Sequence, residues 1–195
     1  MKIVLMCVML MMSCNACTTL DFGQCNIKEE VVQNAFLSSV IIRGDNNYCS
    51  GVFVNNRIYT VAHCVNEDTL EIHFADGSVA EGKVDKKYPE RDFATISVKR
   101  PEWMPDIYTG RRPRVGQEIF CVGHPGGFTF SYMRGYVMKY TEQILELEAF
   151  VFNLPAAPGI SGAGIFNCRG EVVGLARTVF SLNPSIGGAI ILEEQ

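Results

Sequence analysis

The strongest constraint on the fold of this chain is a succession of short segments rich in β-branched and aromatic residues, each closed off by turn formers. Ser39-Val40-Ile41-Ile42, Gly51-Val52-Phe53-Val54, Arg57-Ile58-Tyr59-Thr60-Val61 and Leu70-Glu71-Ile72-His73-Phe74 are separated by Gly44-Asp45-Asn46-Asn47, Asn55-Asn56 and Ala75-Asp76-Gly77-Ser78. That pattern predicts strands and tight turns. It continues through Glu118-Ile119-Phe120-Cys121-Val122, Arg134-Gly135-Tyr136-Val137-Met138, Gln143-Ile144-Leu145-Glu146-Leu147, Gly164-Ile165-Phe166, Glu171-Val172-Val173-Gly174-Leu175 and Ala189-Ile190-Ile191. Many short strands at regular spacing imply an all-β barrel or sandwich. The best helical stretch is 28–36, ahead of the first strand.

Pro101, Pro105 and Pro113 mark a linker over residues 101–113, so the strands fall into two halves of similar size. The expected organisation is a lead at 17–35, a first barrel at 36–100, the linker, and a second barrel at 114–192. A chain of 195 residues suffices for two small lobes sharing a cleft, and 48% apolar against 19% charged residues supports a genuine core. The net charge of −4 argues against nucleic acid, and Arg111, Arg112 and Arg114 make only a short local run in the linker.

The N-terminus reads as a processing signal over residues 1–16. Lys2 precedes an unbroken apolar stretch at 3–12, and Ser13-Cys14-Asn15-Ala16-Cys17 is small and polar. Such a stretch is too short to span a bilayer but fits a secretory signal. Cys14 resembles the lipidated cysteine of bacterial lipoproteins, with Met11 standing where leucine is usual; cleavage after Ala16 is the rival reading. Either implies export, to the periplasm, to a lipid-anchored envelope position, or out of the cell. Export permits disulfides. Of eight cysteines Cys7 is lost with the signal, and the odd remainder fits one cysteine carrying lipid.

Nucleophilic catalysis by serine needs a hydroxyl, an imidazole to take its proton, a carboxylate to fix the imidazole tautomer, and N–H groups aimed at the oxyanion. Thr60-Val61-Ala62-His63-Cys64 places a histidine at a strand end beside a cysteine. Arg91-Asp92-Phe93-Ala94-Thr95-Ile96-Ser97-Val98 opens an alternating strand with an aspartate. Pro158-Gly159-Ile160-Ser161-Gly162-Ala163-Gly164 surrounds a serine with glycines, which let the N–H groups of Gly159 and Ser161 converge. Asp76, in a turn tip, and Asp85, beside Lys86 and Lys87, are weaker third members. His73 and His124 share no ligand spacing with His63, so no metal site is expected.

The order His63, Asp92, Ser161, with the Ala-His-Cys and Gly-x-Ser-Gly motifs, resembles the trypsin-like, chymotrypsin-fold serine peptidases. Within that fold the chain is similar to the HtrA/Deg branch, through residues 70–98, Val122-Gly123-His124-Pro125-Gly126-Gly127, residues 161–174 and Ile186-Gly187-Gly188-Ala189-Ile190; the likeness spans 36–192. It implies two six-stranded antiparallel β-barrels with the active site between them. Ser161 would be the nucleophile, His63 the general base and Asp92 its orienter, with an oxyanion hole at Gly159 and Ser161. The substrate would be a protein or peptide, and no cofactor is implied. By the same likeness, Cys49 would pair with Cys64 and Cys121 with Cys168, leaving Cys17 and Cys25 for each other. Each bridge would contribute about 2–4 kcal/mol.

Departures from the family pattern shape the remaining expectations. The specificity position, six residues before the serine, is Pro155, followed by Ala156. With no acid there, a modest apolar pocket for small or medium side chains is expected. Arg177 stands where a small polar residue is usual, within reach of Asp92 or of substrate. The strand through Leu175, Ala176 and Arg177 should present its edge to an extended peptide. No PDZ domain and no activation segment are expected, so the chain should act without proteolytic activation. The rival readings are a protease-like binding module without catalysis and a structural envelope lipoprotein.

Overall fold

A computed structural model describes residues 25–44, 48–144, 147–180 and 183–192. The signal at 1–16, Cys14 and Cys17 lie outside the described residues.

The chain forms two closed, six-stranded antiparallel barrels of the chymotrypsin-like fold. The first contains β1 (Ser39–Arg43), β2 (Tyr48–Val54), β3 (Arg57–Thr60), β4 (Thr69–His73), β5 (Val79–Tyr88) and β6 (Phe93–Ser97), closing in the order β1-β2-β3-β6-β5-β4. The second contains β7 (Glu118–Gly123), β8 (Ser131–Ile144), β9 (Leu147–Phe152), β10 (Gly164–Phe166), β11 (Val172–Phe180) and β12 (Asn183–Ile191), closing as β10-β11-β12-β9-β8-β7. Closure leaves neither sheet with a full-length free edge.

The one α-helix among the described residues, α1 (Glu29–Ser38), contains most of the stretch expected to be helical. It ends where Ser38 and Ser39 donate their hydroxyls to the carbonyl of Ala35, at 3.0 and 2.8 Å. Ser39 starts β1 and also reaches the Val122 carbonyl at 3.3 Å, so the lead is fastened to both barrels.

Alternation along the strands fills the barrels: Val52, Val54, Ile58, Ile72 and Ile96 are buried in the first, and Ile119, Phe150, Phe152, Ile165 and Val173 in the second. Phe120, Phe166, Val172 and Leu175 face the other way and join the core of the first barrel. The interface between lobes is therefore apolar core rather than a wet seam. Trp103, in the linker, packs edge-on against Phe74 of the region after β4, with ring centroids 6.3 Å apart.

One expected disulfide is corrected. Cys49 and Cys64 are bonded, with Cα atoms 6.1 Å apart, but Cys168 is bonded to Cys25 and Cys121 is a buried free thiol. The register explains it. Ile165 lies opposite Cys121 and Phe166 opposite Phe120, so Cys168 comes to the level of Glu118, whose carbonyl is 3.9 Å from its sulfur. Cys121 is then three residues away along β7, about 10 Å, beyond the roughly 7 Å span of a disulfide. The lead supplies Cys25 instead, held where Arg134 Nη2 donates to its carbonyl at 3.2 Å. Cys25 is accordingly not available to Cys17.

Candidate active site

His63 is the middle residue of a single 3-10 turn, Ala62–Cys64, that follows β3. Val61, Ala62 and Cys64 are buried, and the Cys49 disulfide ties the turn to β2. Lys87 caps it from β5 by donating Nζ to the Val65 carbonyl. The imidazole, 47% exposed, therefore projects from a rigid base.

Asp92 follows a second 3-10 turn, Pro89–Arg91, and adopts a left-handed backbone at φ 47° and ψ 43°. Aspartate tolerates that region better than most side chains, and the kink brings the carboxylate under His63 before β6 begins. Asp92 is 4% exposed. Its Oδ1 accepts the backbone N–H of His63 at 3.0 Å, and its two oxygens lie 3.0 and 2.9 Å from Nδ1. Nδ1 must carry the proton facing a carboxylate, which leaves the lone pair on Nε2. Burial pushes the Asp92 carboxyl up, but the hydrogen bonds and charge of His63, with the Arg177 cation, outweigh it and hold the group below its ordinary value.

Ser161 sits in a loop whose neighbouring N–H groups are largely committed. Ile160 N–H donates to Ala157, Gly162 N–H to Ala176 and Ala163 N–H to Ile160. Among the described residues, the N–H groups of Gly159 and Ser161 have no such partner. Gly159 holds φ +101°, and a Cβ there would overlap the His124 carbonyl. Gly162, at φ +84°, would overlap the Ser50 carbonyl and Thr60 Oγ1 in the same way. Both positions require glycine.

Two residues that sequence reasoning passed over or left minor organise this loop. Ser50, on β2, donates its hydroxyl to Gly159 O at 2.7 Å, accepts His124 N–H at 3.2 Å, and donates its own N–H to Ser161 O at 2.8 Å. Only its place beside Cys49 could have drawn attention to it. His124 is fully buried. Its Nε2 lies 3.1 Å from the Val40 carbonyl and its Nδ1 accepts Phe130 N–H at 2.9 Å, a neutral tautomer. Burial pushes it down to about 4, partly opposed by the bond to Val40. His73 lies apart, half-buried, with Nε2 on Glu71 Oε1.

Ser161 Oγ does not hydrogen-bond His63 in this structure; it is directed at the Arg177 carbonyl, 3.4 Å away. Arg177 itself turns inward. Its Nε is 2.6 Å from Asp92 Oδ2, yet the N–H is not aimed along that line, so the contact is an ion pair rather than a directed hydrogen bond. Leu175 and Ala176 are buried and carry the ladder, and beyond Ala176 the pairing of β11 runs to β12 alone. Ala156 is buried and Pro155 exposed at the mouth of the loop. No cluster of potential metal ligands occurs among the described residues.

The model of the trypsin-like peptidase domain family matches residues 49–175. The chain is 27% identical over 135 residues to a probable periplasmic serine endoprotease, DegP-like, of Ectopseudomonas mendocina, covering 67% of this chain and 27% of that protein. It is 28% identical over 143 residues to the chloroplastic Protease Do-like 2 of Arabidopsis thaliana, covering 65% and 23%. The chain thus spans about a quarter of the length of these curated relatives. Among solved structures it is similar in fold to the HtrA-type protease AlgW with tripeptide, at TM-score 0.76 and 19% identity, covering 83% of this chain and 58% of that one. The serine endoprotease from Yersinia pestis matches at TM-score 0.73 and 22% identity, covering 83% and 61%.

Proposed function

Because the chain belongs to the trypsin-like peptidase domain family, we propose that it is a serine endopeptidase with Ser161 as nucleophile, His63 as general base and then acid, and Asp92 as orienter. The observation that carries this reading is the Asp92–His63 pair, with Nδ1 between two carboxylate oxygens at 2.9 and 3.0 Å, which leaves Nε2 as the basic nitrogen. In the reaction Nε2 takes the proton of Ser161 as Oγ attacks the substrate carbonyl. The N–H groups of Gly159 and Ser161 receive the oxyanion. The imidazolium returns its proton to the leaving amine, and water hydrolyses the acyl-enzyme by the reverse path. An extended substrate pairs with the open side of β11 beyond Ala176. Pro155 and Ala156 favour small or medium apolar side chains in the adjoining pocket.

Export supports the same reading: two disulfides suit an oxidising compartment, and relatives bear the name of periplasmic endoproteases. An export signal cleaved before Cys14, with a lipid on Cys14 as the membrane tether, completes the proposal.

A second reading, a protease-like module that holds peptides without cleaving them, is favoured by one observation, the Ser161 hydroxyl turned to Arg177 rather than to His63. Labelling by a fluorophosphonate separates the two. Labelling of the wild-type chain but not of Ser161→Ala or His63→Ala upholds the peptidase. A folded, oxidised chain that stays unlabelled favours the binding module.

A further inference from the structure

Arg177 falls out of register on β11: Ala176 pairs with Ala189 and Thr178 with Gly188, so Arg177 is the additional residue of a β-bulge. Bulges twist a strand and re-aim a side chain. Here the guanidinium is turned onto Asp92 and is 14% exposed. Few charges face His63 from the elements packed around it. Asp92 comes from the turn before β6 and Arg177 from β11. Lys87 comes from β5 with its Nζ taken up by the Val65 carbonyl. Glu90 and Arg91 lie on the Pro89–Arg91 turn and are exposed to solvent. The serine loop, 155–163, carries no charged residue. Arg177 is thus the cation that is largely shielded from water and in contact with the carboxylate beneath the imidazole.

A carboxylate under an imidazole stabilises the imidazolium that forms when the serine proton arrives. A guanidinium held against the same carboxylate cancels part of that field, and the cancellation is felt more strongly away from bulk water. We propose that Arg177 is a positioning residue that makes His63 a weaker base, so that the site works at lower pH than a triad whose aspartate has only neutral partners. The proposal rests on the reading of His63 as general base.

The test follows kcat/KM against pH for the disulfide-bonded wild-type chain, Arg177→Gln and Arg177→Lys. Loss of the cation in Arg177→Gln is expected to move the acid limb up by about one pH unit, while Arg177→Lys stays near the wild type. A lower plateau with an unmoved limb is what an arginine that merely steadies Asp92 would give, and overturns the proposal. The His63 ring-proton resonance, followed by NMR over the same range, makes the comparison without turnover. A wild type that neither hydrolyses peptides nor takes the fluorophosphonate sinks the peptidase reading. A resonance midpoint about one unit higher in Arg177→Gln still upholds the action of Arg177 on His63, and equal midpoints refute it. If Arg177→Gln does not fold, Asp92→Asn and Asp92→Asn/Arg177→Gln carry the same comparison with no carboxylate left unpaired. The double variant is expected higher by about one unit, and coincident curves overturn the idea.

Discussion

The hydroxyl of Ser50 in the first barrel donates to the carbonyl of Gly159 in the second at 2.7 Å. The same oxygen accepts His124 N–H, and the Ser50 amide holds Ser161 O. One small side chain therefore sets the height of the serine loop relative to the barrel that delivers His63. Ser50→Ala leaves a buried carbonyl and a buried N–H unpaired, at about 1–3 kcal/mol. It is expected to fold, to melt a few degrees lower, and to lose roughly tenfold or more in kcat/KM because the donors of the loop shift. Calorimetry together with peptide hydrolysis reads both effects. Unchanged turnover would remove Ser50 from the argument.

Gly159 tolerates no side chain, since its φ is +101° and a Cβ would strike the His124 carbonyl. Gly159→Ala is expected to turn the peptide and withdraw one oxyanion donor. The rate of fluorophosphonate labelling should fall by about 10²–10³, while far-ultraviolet circular dichroism stays native-like.

Stability should decline on mild acidification through His124. Burial lowers it to about 4 in the folded chain, whereas the unfolded chain takes a proton near 6.5, an ordinary value for histidine. A folded-state value below the unfolded one means that the unfolded chain binds more protons between the two. The contribution is complete above about pH 6.5 and is lost as pH falls toward 4, by about 3 kcal/mol. Urea unfolding at neutral pH and near pH 4, for the wild type and His124→Gln, isolates it as the difference in pH dependence. Parallel curves for the two proteins would show that His124 is not the group responsible.

The cysteine pairing is open to direct chemistry. Non-reduced peptide maps should contain Cys25 joined to Cys168 and Cys49 joined to Cys64. Burial pushes the Cys121 thiol up, so it should resist alkylation in the native chain and react once the chain is unfolded. A crosslinked peptide containing Cys121 would contradict the register of β7 against β10.

The parts legible in the sequence were those written in contiguous residues. The strand pattern pointed to two barrels because alternation and turn chemistry are local. The pairing of His63 with Asp92 was legible because each lies in a short motif at a strand end, as was the glycine loop around Ser161. Cys25 was not, because its partner is decided by a register between β7 and β10 and by the path of the lead, and neither leaves a local mark. Ser50 was invisible for a similar reason: a serine on a strand reads as an ordinary polar residue until the loop of the other barrel is laid over it. Arg177 stood out as an odd residue with Asp92 or substrate as its expected contact; the structure gives Asp92, and the bulge that decides for it is nothing alternation can announce.

The Cys25–Cys168 bond joins residues 143 apart in sequence. Everything from Cys25 to Cys168, the linker included, is thereby a covalent ring. A single cut anywhere in that ring, whichever peptidase makes it, releases no fragment. The severed ends stay tethered within reach of one another, so the molecule can be nicked and still remain one molecule.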